Sequence, residues 1–188
     1  MKLIDNVLDT SDFEQLQTLV MSSNFPWYFA ESIDYGEGGW HLSHLIINNG
    51  ESTSPYSDFI TKLLIKAVEK TGSKVKQIIR ARAFLLVNVK LEQIPHIDGA
   101  FNHDAGILYL NDSDGTTKLL NHSYDPFSIM TGREYYENFV KDKYTIQQEV
   151  EPKSNRLLTF NGMTYHIGSN PVVNNKRYIV NFNYSVED

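Results

Sequence analysis

The run Arg177-Tyr-Ile-Val-Asn-Phe-Asn-Tyr184 alternates so strictly that it constrains the whole fold. Successive side chains of a β-strand point to opposite faces. Tyr178, Val180, Phe182 and Tyr184 therefore form one apolar row suited to packing on helices. Arg177, Ile179, Asn181 and Asn183 form the other row, facing whatever the sheet encloses. An arginine held inside is costly unless an anion meets it. The alternative is a strand-end arginine that reaches solvent.

The same period of two begins at Ile78. Residues 78–89, 105–111, 117–121, 155–161, 163–167 and 177–184 are strand candidates, with turn signals at Asp112–Gly115 and Asn174-Asn175. Before them the period is helical. Ser11 and Glu14 make a capping box ahead of the stripe Phe13, Leu16, Leu19 and Val20. Ser54-Pro55 supplies an N-cap and N1 proline for a second helix, which Gly72 stops. Short strands are expected near Trp27–Glu31 and His41–Asn48, around a turn-rich Gly36–Gly39. Short strands following helices predict a mainly β (α+β) chain: a double-stranded β-helix, that is, a jelly-roll or cupin-like barrel. Residues 1–77 would support the barrel core at 78–188, all in one domain.

Composition narrows the classes. The 188 residues are 41% hydrophobic, enough for a sizeable core. There is no cysteine, which excludes disulfides and thiolate-held metals. A formal net charge of −6 argues against nucleic acid as a partner. The basic cluster from Lys62 to Arg82 reads as the solvated face of a helix and its exit. No apolar run approaches a membrane span and no signal pattern opens the chain, so a cytoplasmic location is expected by default.

The chemistry centres on Ile94-Pro-His-Ile-Asp-Gly99. His96 and Asp98 are two apart, so an extended segment puts both on one face. Two histidines and one carboxylate can hold Fe(II) with positions left open. With 6 His and 23 acidic residues, about 0.7 such spacings arise by chance, so the pair matters only in company. That company is His166, on a short strand candidate after Asn161-Gly162, and Arg177, eleven residues beyond it.

Over roughly residues 78 to 184 this ordered set resembles the Fe(II)/2-oxoglutarate-dependent oxygenases, specifically the prolyl-4-hydroxylase-like branch. The resemblance implies His96, Asp98 and His166 as iron ligands. It implies Arg177 as the residue binding the distal carboxylate of 2-oxoglutarate, a task suited to a planar guanidinium. Tyr109 sits where such enzymes place a tyrosine on the same carboxylate; the other reading is an ordinary buried strand aromatic. Asn88, Arg80 and Arg82 share a strand face leading to the metal pair and could touch cosubstrate or substrate, or be structural. Gly168 either relieves crowding near His166 or is a turn glycine.

Some features depart from the branch. The interval from His166 to Arg177 is slightly long, as if a Pro171–Lys176 hairpin were enlarged. The strand after Arg177 carries no second arginine of the kind found in nucleic-acid demethylases. His103 reads as a loop residue rather than a ligand, and His41, His44 and His122 as structural or exposed. Residues 122–152 are long enough for a lid over the site or for a surface excursion with a helical turn near Arg133–Val140.

By resemblance, the cofactors are Fe(II), 2-oxoglutarate and O2, with ascorbate as a reductant that such enzymes can use. The expected partners are 2-oxoglutarate and a peptide or small-molecule substrate. The expected reaction is hydroxylation of a C–H bond in a peptidyl (prolyl-type) or free amino-acid side chain. A non-catalytic cupin-like module and a metal-dependent isomerase on the same barrel are the alternatives.

Overall fold

The computed structural model describes residues 1–31, 40–89 and 93–187. The Gly36–Gly39 turn expected from sequence lies outside these. In chain order the elements are β1 (Lys2–Asp5), α1 (Thr10–Met21), β2 (Tyr28–Ala30), β3 (His41–Asn48) and β4 (Glu51–Ser52). There follow α2 (Ser57–Glu69), β5 (Val75–Val87), β6 (Asp104–Tyr109), β7 (Thr117–Ser123) and α3 (Gly132–Tyr135). The last four are β8 (Ile146–Val150), β9 (Arg156–Asn161), β10 (Thr164–Gly168) and β11 (Lys176–Val186).

The strands form two antiparallel sheets. The larger runs β1-β9-β6-β11-β5-β3-β2, with β4 hooked onto β3; the smaller runs β10-β7-β8. This is a mainly β, jelly-roll type of architecture. The connection from β10 to β11 crosses between the sheets, so the Pro171–Lys176 segment is not a hairpin. Its backbone N–H groups at Val172, Val173 and Asn174 are gathered instead by the Asp114 carboxylate.

The two rows of β11 fall as their alternation requires. Tyr178, Val180, Phe182 and Tyr184 pack with the buried stripes of both helices, including Phe13, Leu16 and Val20 of α1. Helix α2 contributes Ile60, Leu63, Leu64, Ala67 and Val68, the i, i+3, i+4, i+7 and i+8 positions of one face. On the other side, Ile107, Tyr109, Leu158, Phe160 and Ile179 meet Leu119 and Val150 of the smaller sheet. That second layer is the barrel interior.

Helix starts are less faithful to the sequence reading. α1 begins two residues earlier than the capping box requires, with Asp9 rather than Ser11 at the N-cap and no side-chain cap bond. α2 begins after Ser54-Pro55 rather than on it. Ser54 Oγ accepts from Tyr56 N, forming a turn that delivers the chain to Ser57. Gly72 does provide the stop, at φ +82.

Residues 122–152 hold α3, a π-helical turn at Tyr136–Val140, and β8. Thr131 and Glu134 form a reciprocal capping box that starts α3. Tyr124, Tyr136 and Val140 pack against Ile97, Tyr165 and Ile167. None of the segment's residues lines the central cavity described below, so in this structure it backs the smaller sheet rather than covering the site.

Candidate metal centre

The site lies between the sheets, where a cavity of about 140 Å³ is lined by the inner rows of β5 and β11. Strand register places the cross-strand pairs on it: Leu86 with Arg177, Phe84 with Ile179, and Arg82 with Asn181. At the opposite wall the segment containing Ile94–Ile97 joins the edge of β10. His96 and His166 form an isolated antiparallel bridge, each backbone N–H donating to the other's carbonyl at 3.1 and 2.9 Å. Their rings are thereby set side by side, 4.5 Å between centroids.

His96, Asp98 and His166 each present a ligand atom, all within 4.8 Å of one another. The residues around them fix how. His96 Nδ1 lies 2.9 Å from the Ile94 carbonyl, and His166 Nδ1 3.2 Å from the Thr164 carbonyl. A carbonyl only accepts, so each Nδ1 carries the proton and each Nε2 keeps its lone pair for a metal. Asn183 donates to Asp98 Oδ2 at 2.9 Å, and Asn181 lies 3.4 Å from Oδ1. Asp98 Oδ1 and His166 Nε2 are 4.0 Å apart, too far for a hydrogen bond.

Electrostatics favour the deprotonated forms of Asp98 and His166. Burial pushes the Asp98 carboxyl up, but His166, His96, the Asn183 amide and Arg80 outweigh it and hold the group at about 2. Burial, reinforced by His96 and opposed by Asp98, lowers His166 to about 4. Two imidazole nitrogens and an ionised carboxylate converge on one gap, a donor set that fits a divalent cation such as Fe(II).

Arg177 is 1% exposed. Its Nη1 donates to the carbonyls of Thr116 and Ser169 at 3.0 and 2.8 Å, and its Nη2 to Thr117 Oγ1 at 2.6 Å. Its Nε is buried with no partner, and among the described residues no carboxylate pairs with it. Burial pushes its pKa down, the mark of a charge short of compensation. An anion is what this guanidinium lacks.

Other sequence-nominated residues fall differently. Tyr109 is fully buried behind the cavity: its hydroxyl donates to Thr117 Oγ1 at 2.8 Å and its ring lies 5.8 Å from the Arg177 guanidinium. Asn88 lies just beyond β5, exposed, with its amide on the Val172 carbonyl, and is not in the cavity lining. Arg80 and Arg82 do line it. His103 is outside the ligand group, its Nδ1 2.6 Å from the Phe101 carbonyl. Gly168 is tight against Gln93 rather than His166: a Cβ there would lie 2.9 Å from the Gln93 amide oxygen.

Sequence reasoning passed over Thr117 and Gln93, whose local context carries no signal. It placed Asn181 and Asn183 inside without a task. Two inward polar residues beside a nominated carboxylate were the available clue.

No protein-family model and no curated protein matches this chain. Solved structures do. A 2OG-Fe(II) oxygenase family oxidoreductase from Burkholderia pseudomallei superposes with TM-score 0.68 at 14% identity, covering 97% of this chain and 84% of that one. The fold is that of the 2OG-Fe(II) oxygenases. SnoN, a non-heme alpha ketoglutarate dependent epimerase from nogalamycin biosynthesis, gives TM-score 0.70 at 14% identity, covering 97% and 74%. A prolyl-4-hydroxylase from Pseudomonas putida gives 0.59 at 13%, covering 100% and 92%. Within this 2OG-oxygenase fold, the His-Asp-His group occupies the cavity between the two sheets.

Proposed function

We propose that this chain is an Fe(II)- and 2-oxoglutarate-dependent oxygenase that hydroxylates a C–H bond, in the first instance of an amino-acid side chain. One observation carries the reading: the three-ligand gap shares its cavity with a fully buried arginine that has no acid partner among the described residues. A generic metal barrel needs the first feature but not the second. Arg177 is therefore what separates this reading from a non-catalytic binding module or a metal-dependent isomerase that needs no 2-oxoglutarate.

His96, Asp98 and His166 would hold the metal, and Arg177 the distal carboxylate of 2-oxoglutarate. When bound, iron with its cosubstrate supplies the oxidising power to break an unactivated C–H bond. The chain's own contribution is placement. The His96–His166 backbone bridge sets two ligands before any metal arrives, and Asn183 turns the third. Thr117 and two main-chain carbonyls aim the guanidinium. Phe84, Leu86, Ile107 and Ile179 supply apolar stretches of the cavity wall between its charged groups, which strengthens the charge interactions beside them.

The test is a titration of 2-oxoglutarate into the anaerobic Fe(II) protein, followed by the metal-to-ligand charge-transfer absorbance. Truncating one partner of a desolvated charge pair costs roughly 2–5 kcal/mol. Arg177→Gln should accordingly weaken 2-oxoglutarate by roughly 30-fold to several thousand-fold, with iron affinity in its absence little changed. Equal affinity in that variant would remove the reason for preferring an oxygenase to a plain metal-binding barrel.

A further inference from the structure

Arg82 is a half-buried cation that the chemistry above leaves unused. It projects from the inner row of β5, opposite Asn181, and lines the cavity with Arg80 and Phe84. Its Nε is buried without a hydrogen-bond partner. Its guanidinium lies 5.7 Å from the Phe84 ring centroid, so an aromatic face replaces water on one side. Arg80 is near enough to repel it, and Asp98 is the acid whose field it feels. That carboxylate is engaged elsewhere, with Asn183 on one oxygen and His166 facing the other.

Arg80 donates Nη1 to the Asp98 carbonyl at 3.1 Å, which ties this arginine pair to the loop carrying the metal ligand. The His41 ring lies 5.2 Å from that of Phe84, tilted by 45°, and neither of its ring nitrogens has a partner among the described residues. Burial and the Arg82 charge keep it neutral, at about 4, so it adds no competing cation. Two guanidinium groups and an imidazole thus stand together, and among the described residues no carboxylate pairs with Arg82.

Arg177 cannot share its anion with them. From Arg177 to Asn181, the residue paired with Arg82, is four residues, about 13 Å at roughly 3.3 Å per residue. A cosubstrate held at Arg177 leaves the Arg82 end of the cavity positive. Resting on the oxygenase reading, we infer that Arg82, supported by Arg80, binds an oxyanion carried by the substrate. The substrate is then a small acid, such as a free amino acid or a phosphate ester, rather than a residue within a peptide, whose backbone carboxylate has become an amide. The planar fork of Arg82 matches a carboxylate or a phosphate bidentately.

The experiment uses the full chain, anaerobic, with Fe(II) and saturating 2-oxoglutarate. It is titrated calorimetrically with acetate, with monomethyl phosphate and with acetamide as the neutral isostere. Acetate or methyl phosphate should bind and acetamide should not. Arg82→Gln should weaken the anion by about tenfold or more, and Arg82→Lys should recover part of the loss. The charge-transfer band formed with 2-oxoglutarate should stay as in the parent. Tighter binding of methyl phosphate than acetate identifies a phosphate ester, and the reverse a carboxylic acid. Because Arg82 is an uncompensated charge, Arg82→Gln should melt no lower than the parent, which separates lost recognition from lost fold. Absence of anion binding, or equal binding in Arg82→Gln, overturns the inference. If the charge-transfer band fails to form in the parent, the oxygenase reading fails instead, and the same titration of the metal-free chain still decides whether Arg82 binds an oxyanion.

Discussion

Asn183 donates its side-chain amide to Asp98 Oδ2 at 2.9 Å, and this bond decides which carboxylate oxygen is left to face the histidines. Asn183 is itself buried on β11, with a neighbour on either side in the sheet, so the amide has little freedom to follow a moving carboxylate.

Asn183→Ala should therefore weaken Fe(II) binding by about 10–100-fold, the usual cost of removing a group that orients a metal ligand. The fold should persist, since the outward row of β11 is untouched. Competition against a chelator of known affinity measures this. Unchanged iron affinity would mean that Asp98 is positioned by its loop alone.

Thr117 Oγ1 accepts from both Arg177 Nη2 and the Tyr109 hydroxyl, at 2.6 and 2.8 Å. Thr117→Val keeps the shape and removes that shared acceptor. A hydrogen bond to a charged group contributes about 1.5–3 kcal/mol, so 2-oxoglutarate affinity should fall by roughly 10- to 150-fold. Tyr109→Phe leaves the Thr117–Arg177 bond in place and should matter less. The charge-transfer titration ranks the two variants, and the opposite order would put Tyr109 rather than Thr117 in control of the guanidinium.

His41 makes the metal-free protein sensitive to mild acid. Its folded pKa lies at about 4, below the usual 6.5, because burial and then Arg82 oppose its charging. As pH falls through 6.5 the unfolded chain takes up this proton before the folded one. Stability is thus full above 6.5 and declines toward 4, by at most about 1.4 kcal/mol per pH unit for one proton. His166 acts with the same sign over the same window. Urea midpoints of chelator-treated protein should drop across this range, and His41→Phe should flatten the drop. A parallel pair of curves would show that His41 takes up its proton alike in the folded and unfolded chains.

Gly106 faces Phe182 across the β6–β11 ladder, and a Cβ at 106 would overlap the Phe182 ring. Gly106→Ala should cost about 1–3 kcal/mol by overpacking. The collision is on the helix-facing side of the sheet, so iron and 2-oxoglutarate affinities should hold at temperatures where the variant is folded. Denaturant unfolding and the charge-transfer titration read the two effects separately.

How much of this was legible in the sequence depended on how local each signal was. The rows of β11 and the stripe Phe13, Leu16, Leu19 and Val20 of α1 are written in a few consecutive residues, and both came out as read. β8 could not be read that way. Ile146, Gln147, Gln148 and Glu149 are exposed, and the strand exists because β7 offers its edge. The first turn of α1 depended on whether Ser11 or Asp9 would break the helical dihedrals, a choice the capping-box pattern alone does not make. In the candidate site, the HxD spacing, His166 and Arg177 are visible because each residue type is chemically unusual where it stands. Thr117 is not. An ordinary strand threonine becomes informative only when β11 brings an arginine to it from sixty positions away.

The strict alternation of β11 has a further consequence, for insertions and deletions. Helix packing and cavity chemistry are interleaved residue by residue along one strand, as two messages sharing one frame. A substitution corrupts one word of one message. Removing a single residue between Arg177 and Tyr184 would shift the frame by one, and every later side chain would turn to the other face. The strand can therefore absorb exchanges of residue but not changes of length, which the crossover loop at 169–175 before it can take up without turning the frame.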